Sequence, residues 1–314
     1  MLAQKLRQIP YQDLPISEYS RRYIMRMLPS IDYYMDIYNL CIDKMLAQCG
    51  KAPQQVTMVD YGGGHGFLSL AAKEHGIGQV IYIDYNSLAT KTVTAISDHL
   101  GFGPDVVLHG DAETLRQWCD EKEVRPDFLM GMDVIEHIYR LDEFFDHVFA
   151  INPEMAMLFT TGSTPFNPHV VKRLRKVMVN DELGEGGFLH ERRHHIAHSY
   201  RNLSSQELDY WAKHTRGLTY DDAIEAVANN KPNILADAYN TCDPATGSWT
   251  ERILPISDYQ QLVDRHKAHV HVGNGFYNTH RSGLKGMASR LLNIIIRALG
   301  IKQIAPFIIL TIDK

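Results

Sequence analysis

A glycine-rich turn between an apolar strand and an apolar helix constrains this chain more than any other feature. The stretch 56–70 reads VTMVDYGGGHGFLSL, with glycines at Gly62, Gly63, Gly64 and Gly66. Glycine adopts positive φ and lets a ligand approach the backbone where a Cβ would block it. The helix that follows presents free N–H groups and the positive end of its dipole. This order predicts a turn that holds the polar end of a nucleotide-like ligand.

Strand and helix patterns alternate along most of the chain. The predicted strands are 56–60, 79–84, 105–110, 127–132, 154–161, 269–277 and 304–312. Strands separated by helices predict an α/β fold with a Rossmann-like, doubly wound, mostly parallel seven-stranded sheet. Ligands of such sheets bind at the carboxyl ends of the strands.

Four segments follow from these patterns. Residues 51–164 and 251–314 form the two parts of the sheet core, and the polar stretch 165–250 interrupts them as an inserted, mainly helical cap. Residues 1–50 have the apolar spacing of helices, which fits packing against the core. A second interpretation makes these helices a lid, with Tyr19, Tyr23, Tyr33 and Tyr34 facing a ligand.

Composition excludes several classes of partner. The 314 residues carry a net charge of −5, so there is no basic field for nucleic acid. The four cysteines form no C-x-x-C pair, and the N-terminus has no apolar signal core, which together predict a cytoplasmic protein. The apolar stretch 291–310 is interrupted by charged residues, glycine and proline, so no membrane span is expected, and no membrane partner is predicted. A homo-oligomer remains open.

Two motifs carry a resemblance to a known family. The spacing Asp60-x-Gly62-x-Gly64-x-Gly66 resembles the first motif of class I S-adenosylmethionine (SAM) methyltransferases, and its early third glycine departs from the dinucleotide pattern G-x-G-x-x-G. The segment 133–137, DVIEH, resembles the fourth-strand segment of the subgroup that contains ubiquinone-biosynthesis and natural-product O-methyltransferases. The resemblance covers 56–161, resumes loosely from 257, and does not reach the cap.

The resemblance implies a cofactor site for SAM, with S-adenosylhomocysteine (SAH) as product. Asp84 ends the second strand, where nucleotide-binding folds place an acid that accepts hydrogen bonds from ribose hydroxyls. Asp111 follows the third strand, where the family's acid meets the adenine, and a simple helix cap is the alternative. The expected cofactor-binding residues are Asp60, Gly62, Gly64, Gly66, Asp84, Asp111, Ala112 and Asp133.

The acceptor side is less constrained by sequence. His137 lies beside the cofactor in the family pattern and is the expected general base for a hydroxyl or amine. Arg192, Arg193 and Arg201 in the cap are expected to bind an anionic group of the substrate. His190, His194 and His198 share a helix face, but the neighbouring arginines disfavour a cation, so no metal is predicted.

We therefore expect a SAM-dependent methyltransferase that acts on a small molecule, most plausibly on a hydroxyl or carboxylate oxygen. The alternatives are a protein of the same fold that binds or regulates without methyl transfer, and a nicotinamide-dependent oxidoreductase, which the early third glycine disfavours.

Overall fold

A seven-stranded sheet organises the chain, which the computed structural model describes over residues 2–314. The strands are β1 (Thr57–Tyr61), β2 (Gln79–Asp84), β3 (Val106–His109), β4 (Phe128–Met132), β5 (Ala156–Thr161), β6 (His269–Asn274) and β7 (Ile308–Asp313). Their order across the sheet is β3-β2-β1-β4-β5-β7-β6. Strand β7 is antiparallel to β5 and β6, and the other pairs are parallel. The predicted mostly parallel α/β sheet is confirmed.

Helices cover both faces of this sheet. They are α1 (Leu2–Gln8), α2 (Glu18–Met27), α3 (Ile31–Cys49), α4 (Phe67–Glu74), α5 (Ser87–Leu100), α6 (Ala112–Lys122), α7 (Leu141–Ile151), α8 (Pro168–Leu183), α9 (Phe188–Ser199), α10 (Ser205–His214), α11 (Tyr220–Ala228), α12 (Ile256–Asp264) and α13 (Gly283–Leu299). Helices α1, α3, α4 and α5 contribute to one apolar core with Met58 and Met130. Helices α6, α7 and α12 contribute to the other, with Val59 and Leu129. Neighbouring strand residues therefore point into different cores, as the strand period of two requires.

The stretch between β5 and α12 carries α8 to α11 and an irregular segment, 229–255. Helices α9 and α10 enclose a small core of Ile196, Leu208 and Trp211. An isolated antiparallel β-bridge pairs Cys242 with Trp249 in this stretch. The segment thus has the mainly helical character expected of the cap, whose exact boundaries stay a prediction.

Two helix starts differ from the sequence patterns, which predict a helix from about residue 136 and a later helix capped at Ser257. The helix expected from residue 136 begins at Leu141, because Ile135–His137 form a single 3-10 turn. Burial of Glu136, which accepts a hydrogen bond from Thr161 Oγ1 at 2.7 Å, fixes this turn against β5. Ser257 does not cap α12, since the helix begins after Pro255 and Ser257 contacts Asp258 instead.

Candidate active site

The glycine turn after β1 combines tight packing with one open position. Gly62, Gly64 and Gly66 have φ angles of 65°, 54° and 78°. A Cβ on Gly62 would lie 2.3 Å from Val134, and one on Gly66 would lie 2.1 Å from Val93. A Cβ on Gly64 would meet no protein atom within 4 Å. Two glycines are therefore required by packing, and the middle one leaves free space beside the backbone.

Asp84 at the end of β2 is tied to this turn. Its Oδ2 accepts a hydrogen bond from the Gly64 N–H at 2.9 Å, and its Oδ1 accepts one from the Asn86 N–H at 2.8 Å. The Asn86 side chain caps α5, as predicted, by accepting from Leu88 N–H at 2.9 Å. Each Asp84 oxygen retains a further lone pair, so the carboxylate can still accept from ligand hydroxyls.

Two cavities meet at Asp84. The inner cavity, of about 290 Å³, is lined by Asp60, Gly64, His65 and Asp133 among others. The outer cavity, of about 470 Å³, is lined by Asp111, Ala112, Val134 and His137 among others. Gly62, Asp84 and Tyr85 line both. Together they give a continuous cleft along the carboxyl ends of β1, β2 and β4, within the size range of small-molecule sites.

Two acids line the inner cavity: Asp60 is buried in its wall, and Asp133 is exposed to the cavity. Asp60 is 1% exposed and accepts a hydrogen bond from Ser69 Oγ at 2.6 Å. Burial raises the pKa of Asp60 to about 7. Asp133 is surrounded by protein but open to the cavity, and burial with the nearby charge of Glu251 raises its pKa to about 6. Its φ of 51° is unusual for a residue with a side chain and marks local strain.

Glu136 and Glu251 extend this acidic group behind Asp133. Glu136 is buried, with Oε1 bonded to Thr161 Oγ1 and Oε2 without a partner among the described residues. Burial, and next the charge of Asp133, raise the pKa of Glu136 well above its ordinary value. Glu251 accepts a hydrogen bond from Ser163 Oγ at 2.9 Å. Sequence reasoning missed both residues; the letters DVIEH contain Glu136, but nothing in them shows that it turns inward.

At the outer cavity, Asp111 serves as a helix cap. Its Oδ1 accepts from the N–H groups of Glu113 and Thr114, both at 3.1 Å. The same residue lines the cavity beside Ala112. The helix-cap alternative is thus confirmed, and it coexists with a position at the mouth of the cleft.

The decisive feature is the combination of this cleft with an antiparallel β7 inserted between β5 and β6. The fold is that of the class I SAM-dependent methyltransferases. In this methyltransferase fold the glycine turn ends β1 and the acids Asp84 and Asp111 follow the next two strands, as the resemblance implied.

Comparisons with known proteins agree at the level of the fold. No family model and no curated protein matches the chain. The plantazolicin methyltransferase BamL, solved with SAH, matches with 14% identity and a TM-score of 0.46 over 100% of this chain and 94% of that one. A methyltransferase from Mesorhizobium loti matches with 12% identity and a TM-score of 0.41, over 87% and 96%. One from Agrobacterium tumefaciens matches with 14% identity and 0.32, over 39% and 43%.

The N-terminal helices form one wall of the inner cavity. Tyr19 and Tyr23 from α2 and Tyr34 from α3 line it, and Tyr23 stacks on His65 with 4.8 Å between ring centroids. Tyr33 instead donates its hydroxyl to the Phe276 carbonyl at 2.7 Å. Both interpretations of residues 1–50 therefore have support, because α1 and α3 pack on the core while α2 and α3 cover the cleft.

His137 lies in the outer cavity and not in the inner one. Its Nδ1 is 2.7 Å from the carbonyl oxygen of Trp249. A carbonyl only accepts, so Nδ1 carries the proton and Nε2 keeps its lone pair. This histidine therefore lines the same cavity as Asp111, and it is near enough to Asp133 for its charge to act on the pKa of that carboxyl. Its role as general base stays a prediction.

The cap arginines do not line either cavity within residues 2–314. Arg192 is fully buried, paired with Glu182, and donates from Nε to the Ala212 carbonyl at 3.2 Å. Arg193 pairs with Asp209 at 2.6 Å. The substrate contact predicted for Arg192 is wrong, because its buried guanidinium holds α8, α9 and α10 together and is not free to bind a ligand.

A cap segment that sequence reasoning did not single out closes the cleft. Thr246 and Ser248 line the outer cavity. The Trp249 N–H donates to the His137 carbonyl at 3.2 Å, and the Arg252 N–H donates to that of Glu136 at 3.3 Å. These backbone bonds pin the cap segment to the turn after β4. Its letters, DPATGSWTE, predict only a polar loop.

Proposed function

We propose that this protein is a SAM-dependent methyltransferase of a small-molecule acceptor. The observation that carries the proposal is the position of Asp84, whose buried carboxylate joins the inner and outer cavities and is oriented by the backbone of the glycine turn. An acid between two cavities suits SAM, in which the ribose lies between the adenine and the amino-acid end. A cytoplasmic location and a homo-oligomer stay predictions.

The residues present fit SAM. Asp84 would accept the ribose hydroxyls, Asp111 and Ala112 would border the adenine, and the open side of Gly64 would admit the amino-acid end. Bound SAM supplies an activated methyl group on a cationic sulfonium. The inner cavity complements that charge, because its lining contains Asp60, Asp84 and Asp133 and no lysine or arginine among the described residues.

The negative charge of the inner cavity also affects which methyl acceptor can bind there. The inner cavity, which is lined by carboxylates without a lysine or arginine among the described residues, disfavours a carboxylate acceptor. Arg140 lines the outer cavity, so an anionic substrate stays a prediction. A neutral hydroxyl acceptor remains compatible. Asp133, whose pKa is raised to about 6, lies where such a hydroxyl would be held, and we assign it the general-base role first given to His137.

Positioning supplies most of the acceleration in methyl transfer. Tyr23, Tyr34 and Tyr38 line the same cavity as Asp133 and would hold the acceptor in line with the methyl group. The segment around Ser248 and Trp249, pinned to the turn after β4, would limit the access of water.

Calorimetry with SAM tests the cofactor, and labelled methyl transfer to a metabolite extract tests the reaction. We expect binding with wild-type protein and label on a low-molecular-weight product. Binding without transfer in any extract would favour the binding or regulatory alternative. Absence of SAM binding together with binding of a nicotinamide cofactor would overturn the proposal in favour of an oxidoreductase.

A further inference from the structure

Helix α13 presents a stripe of large apolar residues to solvent, while small residues and one isoleucine are buried against the protein. Its large apolar residues are among the most exposed of the chain: Leu284 83%, Met287 62%, Leu291 60%, Ile294 64% and Leu299 67%. The residues buried against the protein are Gly286, Ser289 and Ile296. This pattern reverses the usual orientation of a surface helix, whose apolar stripe faces the core.

Specific contacts fix this orientation. The Asn293 side chain accepts from the Tyr277 N–H at 2.7 Å and donates to the Tyr277 carbonyl at 2.9 Å. Gly286 packs so closely that a Cβ there would lie 1.9 Å from the Arg281 carbonyl oxygen. A half-turn of α13 would break both contacts and bury Leu291 where Asn293 now lies. The exposed stripe is therefore a property of the folded chain.

Basic residues flank the apolar stripe on both sides. At 100° per residue, Lys285 lies along one edge of the stripe, and Arg290 and Arg297 lie along the other. All three are exposed. Between Asp264 and Asp313 the chain contains no aspartate or glutamate, although the whole protein has a net charge of −5. The charged residues of the chain segment that carries the apolar stripe, 265–312, are thus all basic.

We propose that α13 docks on the surface of an anionic lipid bilayer. A helix in the membrane plane buries its apolar stripe at the acyl boundary while flanking Lys and Arg side chains meet anionic headgroups. The helix has 17 residues, so it would lie along about 26 Å of surface. No helix within residues 2–314 has the length and hydropathy to cross a bilayer, so docking would be peripheral.

A second copy of this chain is the main competing occupant. In a two-fold dimer through this face, each patch would meet its own equivalent. Arg290 and Arg297 would then face a surface that offers no acid between residues 265 and 312. Charge complementarity therefore favours lipid phosphate over self-association. Docking on a bilayer surface departs from the sequence prediction of no membrane partner, which rested on the absence of a membrane span.

The test is sedimentation of the full chain with vesicles of phosphatidylcholine and phosphatidylserine in roughly a two-to-one ratio, against phosphatidylcholine alone. We expect binding only to the mixed vesicles, weakened at high salt because exposed charges are screened. Arg290→Gln with Arg297→Gln, and separately Leu291→Ser with Ile294→Ser, should each weaken binding by about tenfold or more.

The matched control is Leu40→Ser with Val107→Ser, which removes two exposed apolar residues outside α13 and should leave binding unchanged. Thermal melting checks that each variant is folded. Failure of the wild type to sediment, or unchanged binding by both α13 variants, would overturn the proposal. A dimer in solution that Leu291→Ser with Ile294→Ser dissociates, without vesicle binding, would assign the face to self-association.

Discussion

The Asp84 carboxylate accepts a hydrogen bond from the backbone N–H of Gly64 at 2.9 Å. This bond joins the end of β2 to the turn after β1, so the residue proposed to hold the ribose also fixes the loop proposed to hold the amino-acid end. Tyr82 strengthens the link by donating its hydroxyl to the Gly64 carbonyl at 2.6 Å. The two halves of the proposed cofactor site are therefore held to each other by hydrogen bonds.

The first prediction concerns Asp84. Asp84→Ala removes a charged acceptor worth about 1.5–3 kcal/mol and should weaken SAM binding by roughly tenfold to a hundredfold. Calorimetry measures the change. Asp98→Asn on the exposed side of α5 is the control and should leave the affinity unchanged. Equal affinity of folded Asp84→Ala and wild type would show that the ribose lies elsewhere.

The second prediction concerns the open side of Gly64. Gly64→Val should abolish SAM binding and leave the sheet folded, because the new side chain would enter the inner cavity. Gly50→Val is a matched control: Gly50 has a φ of 66° and equally free space, but it lies at the end of α3. Both variants carry similar backbone strain. If both lost SAM binding to the same extent, strain rather than the cavity would be the cause.

The third prediction concerns the buried pair of the cap. Arg192→Ala leaves the Glu182 carboxylate buried without its cation and should lower the free energy of unfolding by about 3–5 kcal/mol. Arg193→Ala breaks an exposed pair with Asp209 and should cost no more than about 1 kcal/mol. Urea unfolding of the two variants gives the comparison. Similar losses would mean that the Arg192 pair is not the centre of the cap.

The fourth prediction is a pH dependence from Asp60. Its pKa is raised from 3.8 to about 7 by burial, so the folded protein holds a proton that the unfolded chain releases. The folded state therefore loses stability as the pH rises from about 4 to about 7, by an amount on the order of a few kcal/mol. Asp60→Asn should remove this part of the dependence.

Urea unfolding of wild type and Asp60→Asn at several pH values measures this pH dependence. The difference between their free energies of unfolding at each pH cancels the contributions of the other titrating groups. We expect the variant to gain stability relative to wild type as the pH rises through this range, with no further change above about pH 8. A constant difference at all pH values would show that Asp60 titrates normally.

Local patterns were enough to predict the sheet, the glycine turn and the position of the acid at the end of β2. Strand period, glycine spacing and capping act over a few residues, so the turn at Gly62–Gly66, the acid at the end of β2 and the cap at Asn86 follow from neighbouring letters. To predict a parallel sheet, we also needed the rule that helices connect parallel strands. In such sheets ligands bind at the carboxyl ends of the strands. Each of these features depends on short-range sterics and hydrogen bonding.

Tertiary structure alone decided the acceptor side, the cap and the exposed helix. In the sequence Arg192 has the pattern of a surface cation, but the folded chain packs Glu182, ten residues away, against it. His137 receives its position from Trp249, 112 residues later, and Glu136 turns inward because Thr161 offers a hydroxyl. The stripe on α13 faces outward because Asn293 binds the backbone of Tyr277. Whether a polar side chain is buried with a partner or free for a ligand depends on contacts between distant segments, which only the folded chain brings together.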